Sequence, residues 1–242
     1  MLDQIRDELA PTGVLRAGIN MSNFLLVTGE TPEGDPDGVS PDMARELAKR
    51  LGVPVTFVTF PNPGELADAA VEDVWDIGNI GAEPERAKHI AFTPAYVEIE
   101  ATYLVPAGSP IQSVEEVDRE GIRIAVGART AYGLWLGDNA RHAELVWAKG
   151  LDGSFETFVE QECDALAGLR PRLTSDVEKL PGARILDGKF TAVQQAIGTK
   201  PDRESSIAFL REFVEEMKAT GFVAGLIEKH GVTGRLTVAP PA

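Results

Sequence analysis

The strongest constraint on this chain is an alternation. Short runs of apolar and β-branched residues are each followed by a stretch of helical periodicity. Val14-Leu15-Arg16-Ala17-Gly18-Ile19 and Val53 to Phe60 are the first two such runs. Between them, Gly38 to Gly52 has the marks of an amphipathic helix, with Met43, Ala44, Leu47 and Leu51 as its apolar stripe. Ser40 and Pro41 stand where an N-cap and a first helical residue belong, and Gly52 stands where a glycine ends a helix. Glu65 to Val74 predicts a second helix, and a third apolar run ends at Gly81. Strands that alternate with helices argue for a mostly parallel sheet, because parallel neighbours need a long crossover.

The alternation resumes further on. Gly121 to Gly127, Leu145-Val146-Trp147, Asp164 to Gly168 and Arg184-Ile185-Leu186 predict strands. Ala128 to Leu136, Gly153 to Gln161, Thr174 to Leu180, Arg203 to Thr220 and Val223 to Lys229 predict helices, with a short turn of helix at Val114 to Val117. Two extended runs, Ala95 to Val105 and Phe190 to Ile197, join the halves. Residues 2 to 9 predict a short amphipathic helix, Thr28 to Asp37 a polar loop, and Thr233 to Ala242 a loosely held tail. The two halves show no sequence echo of one another.

Composition narrows the function. The chain has 242 residues, 43% hydrophobic and 25% charged, which is ample for a core or for two lobes. Its net charge of −15 argues against a nucleic-acid partner, whose phosphates it would repel. Cys163 is the only cysteine, so no intrachain disulfide forms. His89, His142 and His230 stand in no metal-ligand spacing with it, and no phosphate loop or nucleophile elbow is present. No metal, no cofactor and no catalytic residue are therefore expected. No apolar run approaches the roughly 20 residues of a membrane helix. The start, Met1 to Glu8, is charged and carries no secretory h-region. Either a signal has been removed, or the protein stays in the cytoplasm.

Trp75 to Thr102 holds the candidate chemistry. Asp76-Ile77-Gly78-Asn79-Ile80-Gly81 predicts a strand end running into a small-residue turn, followed by Glu83-Pro84-Glu85-Arg86 as a helical turn. A guanidinium beside exposed backbone donors can grip a carboxylate through two parallel hydrogen bonds. The residues alone leave a second reading open, in which Arg86 is a solvated charge. Thr130 likewise reads as a ligand contact or as a plain N-cap.

This stretch resembles the signature region of the ABC-transporter solute-binding proteins of family 3, the polar amino-acid type. The resemblance rests on Asp76, Gly78 to Gly81, Pro84-Glu85-Arg86 and Phe92-Thr93-Pro94-Ala95-Tyr96, and it extends from about Gly13 to about Gly231. It implies a two-lobed α/β fold of the type II periplasmic-binding-protein kind, each lobe a mostly parallel sheet flanked by helices. Lobe 1 would take residues 1–97 and 196–242, lobe 2 residues 98–195, with ligand in the interlobe cleft and two hinge crossings. It further implies a ligand shell of Asn20, Asn23, Asn79, Gly81, Arg86 as carboxylate anchor, and Thr130. The partners implied are a small carboxylate-bearing molecule and an ABC permease, for a monomer in the periplasm.

The sequence departs from the family where amino-acid binders usually place an aspartate for the ligand's ammonium. Here Leu169-Arg170 occupies that place, and the central loop is short and lacks serines. Glu100, with Glu98 two residues before it, could hold a cation from the extended crossing or stand as solvated charge. Arg129 and Arg170 could receive a second acid or lie on a surface loop. Two other functions stay open. One is a lyase or dehydratase with Glu98 or Glu100 as acid or base. The other is a cytoplasmic ligand sensor.

Overall fold

The computed structural model describes residues 2–242. In chain order the elements are α1 (Leu2–Leu9), β1 (Leu15–Asn20), β2 (Gly29–Glu30), β3 (Pro36–Asp37), α2 (Val39–Leu51), β4 (Val55–Phe60), α3 (Pro63–Asp68), β5 (Ile77–Gly81), β6 (Ala91–Phe92) and β7 (Val97–Val105). There follow β8 (Arg123–Gly127), α4 (Ala131–Asn139), β9 (Glu144–Ala148), α5 (Gly150–Glu160), β10 (Ala165–Leu169), α6 (Arg170–Val177), β11 (Arg184–Ile185), β12 (Thr191–Thr199), α7 (Glu204–Ala219), α8 (Phe222–Lys229) and β13 (Thr237–Val238). The chain divides into two compact units. Met1–Glu98 with Gln194–Ala242 form one, and Ile99–Val193 the other.

In the first unit β1 is flanked in parallel by β4 and β5, with Asn20 level with Phe60 and Ile19 level with Asn79. β12 adds antiparallel to β5, pairing Ile197 with Asn79 and Gln195 with Gly81. Gly18 and Gly78 lie on one sheet face, where an added Cβ would meet Trp75 at 3.3 Å. Trp75, Leu66, Ala69, Ala70, Ile80 and Ile90 pack together there. The second unit repeats the pattern. β8 is flanked in parallel by β9 and β10, and β7 adds antiparallel to β10. Each unit thus has its first strand between its second and third, closed by an antiparallel strand. The likeness of the halves lies in topology and left no trace in sequence.

Local chemistry sets the boundaries. Gly52 takes φ 68° and ends α2 in the left-handed region, its N–H returning to Ala48 and Lys49. The α2 start differs from expectation. Gly38 is the N-cap and Ser40 lies inside the helix, its hydroxyl donating to Leu26 O at 3.4 Å. Gly38 is required there because its φ is 152° and a Cβ would stand 2.2 Å from Leu26 O. The helix expected over Glu65–Val74 is instead α3 and a 3-10 turn at Ala69–Val71, started by Asn62, which accepts from Glu65 N at 2.9 Å.

Two further expectations change. Asn79 and Gly81, expected in a turn, lie in β5, because β1 and β12 hydrogen-bond that strand on both sides. The tail expected to be loose is tied down: β13 pairs with Val97 and Glu98, Ala239 N donates to Tyr96 O, and Leu236 and Ala239 are buried. Arg170-Pro171-Arg172 is the first turn of α6.

Candidate functional site

Asn20, Gly81 and Arg86 lie where the first unit's parallel strands end, while Asn79 lies in the middle of β5. Asn20 closes β1, Gly81 closes β5, and Met21 N donates to Phe60 O at the end of β4. Arg86 follows in a 3-10 turn, Arg86–Lys88. It is only 6% exposed, and its Nη1 donates to Gly81 O at 2.7 Å. A buried guanidinium at a strand's carboxyl end is an uncommon placement, since arginine is mostly exposed unless paired. Its planar fork suits an oxygen pair.

Asp76, by contrast, is structural. It is fully buried and its carboxylate accepts from Arg16 N (3.0 Å), Arg16 Nε (3.0 Å), Arg16 Nη2 (2.9 Å) and Arg203 Nη2 (3.3 Å). That clamp fastens β1, β5 and the approach to α7 behind the strand ends.

The three asparagines behave differently. Asn20 Oδ1 accepts from Ser22 N at 3.1 Å and Ser22 Oγ at 2.8 Å. Asn23 Oδ1 accepts from Leu25 N at 3.2 Å and Leu26 N at 3.3 Å. Both oxygens therefore shape the loop after β1, as asparagine commonly does in turns. Asn79 is 2% exposed, and neither Oδ1 nor Nδ2 has a hydrogen-bond partner among the described residues.

In the second unit the predicted residues also share the carboxyl edge of the parallel strands. Thr130 is the N-cap of α4: its Oγ accepts from Gly133 N at 3.0 Å and donates to Gly127 O at 2.8 Å. Arg129 before it is exposed with φ 61°, a left-handed conformation uncommon outside glycine. Arg170 opens α6 directly after β10. Its Nε donates to Glu100 at 2.9 Å, its Nη1 to Leu186 O at 3.5 Å, and it also bonds Gly188 O. Glu100 is exposed and has Lys189 Nζ at 3.9 Å as a second cation. Glu98, which belongs to the first unit, accepts from Gln194 Nε2 at 2.8 Å. The residues missed by sequence reasoning are Lys149, directly after β9 at the same edge as Arg129 and Arg170, and Lys189. A lysine two residues after the Leu145–Trp147 run was the available signal for the first.

One group among the described residues has metal-ligand geometry: Asp37, Asp42 and His230 offer atoms within 4.8 Å of one another. Asp42 is already engaged by Arg45 Nη1 (2.9 Å), Lys229 Nζ (2.7 Å) and His230 Nε2 (2.8 Å), so two fixed cations stand where an ion would. The cluster joins the first turn of α2 to the end of α8. Burial opposes ionisation of Asp42, but the bonds from Lys229, His230 and Arg45 outweigh it and hold its pKa below the ordinary 3.8.

The architecture is an α/β fold of the type II periplasmic-binding-protein kind. Similar solved structures are a mutant of ArgBP from T. maritima (22% identity, TM-score 0.73, covering 94% of this chain and 99% of that one) and the solute receptor for L-cysteine of Neisseria gonorrhoeae (19%, TM-score 0.75, 99% and 99%). The ancestral amino acid-binding protein AncCDT-1, a precursor of cyclohexadienyl dehydratase, is a third (23%, TM-score 0.72, 92% and 97%). The chain matches the bacterial extracellular solute-binding proteins, family 3, over residues 15–233, and it belongs to that family.

Two curated relatives are similar at the same level of identity. Membrane-bound lytic murein transglycosylase F of Yersinia pestis is 22% identical over 234 residues, 93% of this chain and 47% of its own. The chain therefore spans about half the length of that relative. The histidine-binding periplasmic protein of Escherichia coli K12 is 23% identical over 209 residues, 82% of this chain and 80% of its own. No helix among the described residues is long and apolar enough to cross a membrane.

Proposed function

We propose that this member of the family captures a small carboxylate-bearing solute, amino-acid-like or organic acid, outside the cytoplasm and presents it as a monomer to an ABC-type permease. The observation that carries the carboxylate is Arg86: a guanidinium 6% exposed, held by Gly81 O at the carboxyl end of β5 in an otherwise strongly acidic protein. Desolvation strengthens a bidentate guanidinium–carboxylate pair relative to one in water. The names of similar proteins point the same way, being those of histidine, arginine and cysteine binders. In the second unit, Thr130 and the cations Arg129, Lys149 and Arg170 surround an edge where the helices α4, α5 and α6 all begin, which favours negative charge.

A binding role is preferred over an enzyme. Glu100 is exposed and ion-paired, and Glu98 is engaged by Gln194, so neither stands as a buried acid–base group. The test is a thermal-shift screen of amino acids, dicarboxylates and small heterocyclic and aromatic acids on wild type and Arg86→Ala. Binding only to the folded state adds roughly 2.7 kcal/mol at a hundred times the dissociation constant. A carboxylate that shifts wild type but not the variant supports the anchor. Equal shifts in both overturn it.

A further inference from the structure

Asn79 stands out against its surroundings. It lies in the middle of β5, where both neighbouring strands pair with it. Strand alternation puts its side chain on the face opposite Gly78 and Ile80, which pack toward Trp75 and Leu66. Its own face therefore carries Ile77, and its register neighbours are Ile19 of β1 and Ile197 of β12, all fully buried. A carboxamide with both oxygen and nitrogen unpaired in such a row costs free energy that a valine in its place would not. Valine or isoleucine also suits a central strand better. Asn20 and Asn23 repay their polarity with turn hydrogen bonds. Asn79 makes none among the described residues.

We propose that Asn79 is a specificity-determining residue of the solute site, pairing with an uncharged group that offers both a donor and an acceptor. The class follows from the carboxamide itself. Oδ1 needs a donor and Nδ2 needs an acceptor. An ammonium satisfies only Oδ1, and a carboxylate only Nδ2. Either also brings a charge among Ile19, Ile77 and Ile197, where low dielectric penalises it. A primary amide satisfies both atoms and is neutral. The proposal rests on the receptor function above, in which Arg86 holds the carboxylate. Gly81, whose carbonyl anchors Arg86, is two residues beyond Asn79, about 7 Å along the strand. The solute is accordingly a short carboxylic acid bearing an amide-like group a few carbons away.

The test uses the full chain and four probes of similar size: succinamate, succinate, 4-aminobutyrate and pentanoate. Melting temperatures are measured with and without each probe for wild type, Asn79→Val and Asn79→Leu. Succinamate is expected to shift wild type more than the other three. Both variants are expected to melt at or above wild type without probe, and to lose the succinamate shift. If both variants melt well below wild type without probe, the carboxamide is a structural element and the proposal falls. If succinate or 4-aminobutyrate shifts wild type as much as succinamate, or if no probe shifts it, the neutral-group assignment falls. The broader screen with Arg86→Ala then reports separately whether the receptor function stands.

Discussion

Replacing Asp76 with alanine tests the division between framework and site. Asp76 is fully buried, and its carboxylate takes four hydrogen bonds from Arg16 and Arg203 at 2.9–3.3 Å. Arg16 and Arg203 side chains are 20% and 11% exposed, so neither guanidinium can turn fully into water. The hydrogen bonding of the Arg16 guanidinium to the Asp76 carboxylate is also the main cause of the raised Arg16 pKa. Breaking a buried pair from one side costs about 3–5 kcal/mol, because the partner charge loses its compensation; Arg16 keeps only the exposed Asp73 carboxylate at 3.4 Å. In a chain of this size each kcal/mol moves the melting temperature by roughly 2–4 °C. Asp76→Ala should therefore melt roughly 6–20 °C below wild type, and Asp76→Asn should fall between them. Calorimetry is the assay, read at the first transition because two units need not unfold together. A loss within about 1 kcal/mol, as for a surface pair, would refute the reasoning. Lost solute binding at unchanged stability would instead move Asp76 into the site.

Four other outcomes are expected. Gly38→Ala should cost at least about 2–3 kcal/mol in thermal melts or fail to give soluble protein, since its Cβ would meet Leu26 O at 2.2 Å and backbone cannot give way. Gly198→Ala should cost about 1–3 kcal/mol by urea unfolding, with Cβ 2.3 Å from Ile90 Cγ2, and adding Ile90→Ala should recover part of it. Thr130→Ala removes the α4 cap and should cost about 1 kcal/mol, while Thr130→Ser should keep most of it. Asp42 has a folded pKa below its ordinary value. Its contribution is therefore present above about pH 4 and fades as pH falls through the folded value, so Asp42→Asn should flatten that part of the acid loss in melting temperature.

The α/β class and the element order were legible because periodicity is local. Val53 to Phe60 alternates as a strand, and Met43, Leu47 and Leu51 mark one helix face whatever lies around them. Gly52 ended its helix where expected for the same reason: a left-handed residue is a property of one position. The Pro-Glu-Arg turn carried enough pattern to single out Arg86. Errors fell where a partner distant in sequence decided the outcome. Ser40 looked like a cap until the Leu26 carbonyl drew its hydroxyl inward. The tail looked loose until Val97 and Glu98 supplied a strand edge for it.

For the candidate site, the sequence by itself determined which side chains were available: one arginine after a glycine-rich strand, three asparagines, and Leu169-Arg170 in place of an aspartate. Only the tertiary structure decided their work. Hydrogen bonds turned Asn20 and Asn23 into loop formers and Arg170 into a clasp on Glu100 and the 186–188 turn. Pairing of β5 on both sides left the Asn79 side chain buried, with no hydrogen-bond partner among the described residues. Residue type sets what a group can donate or accept; Asn20 and Asn23 found partners within three residues, but the surroundings of Asn79 and the partners of Arg170 come from segments far away in the chain.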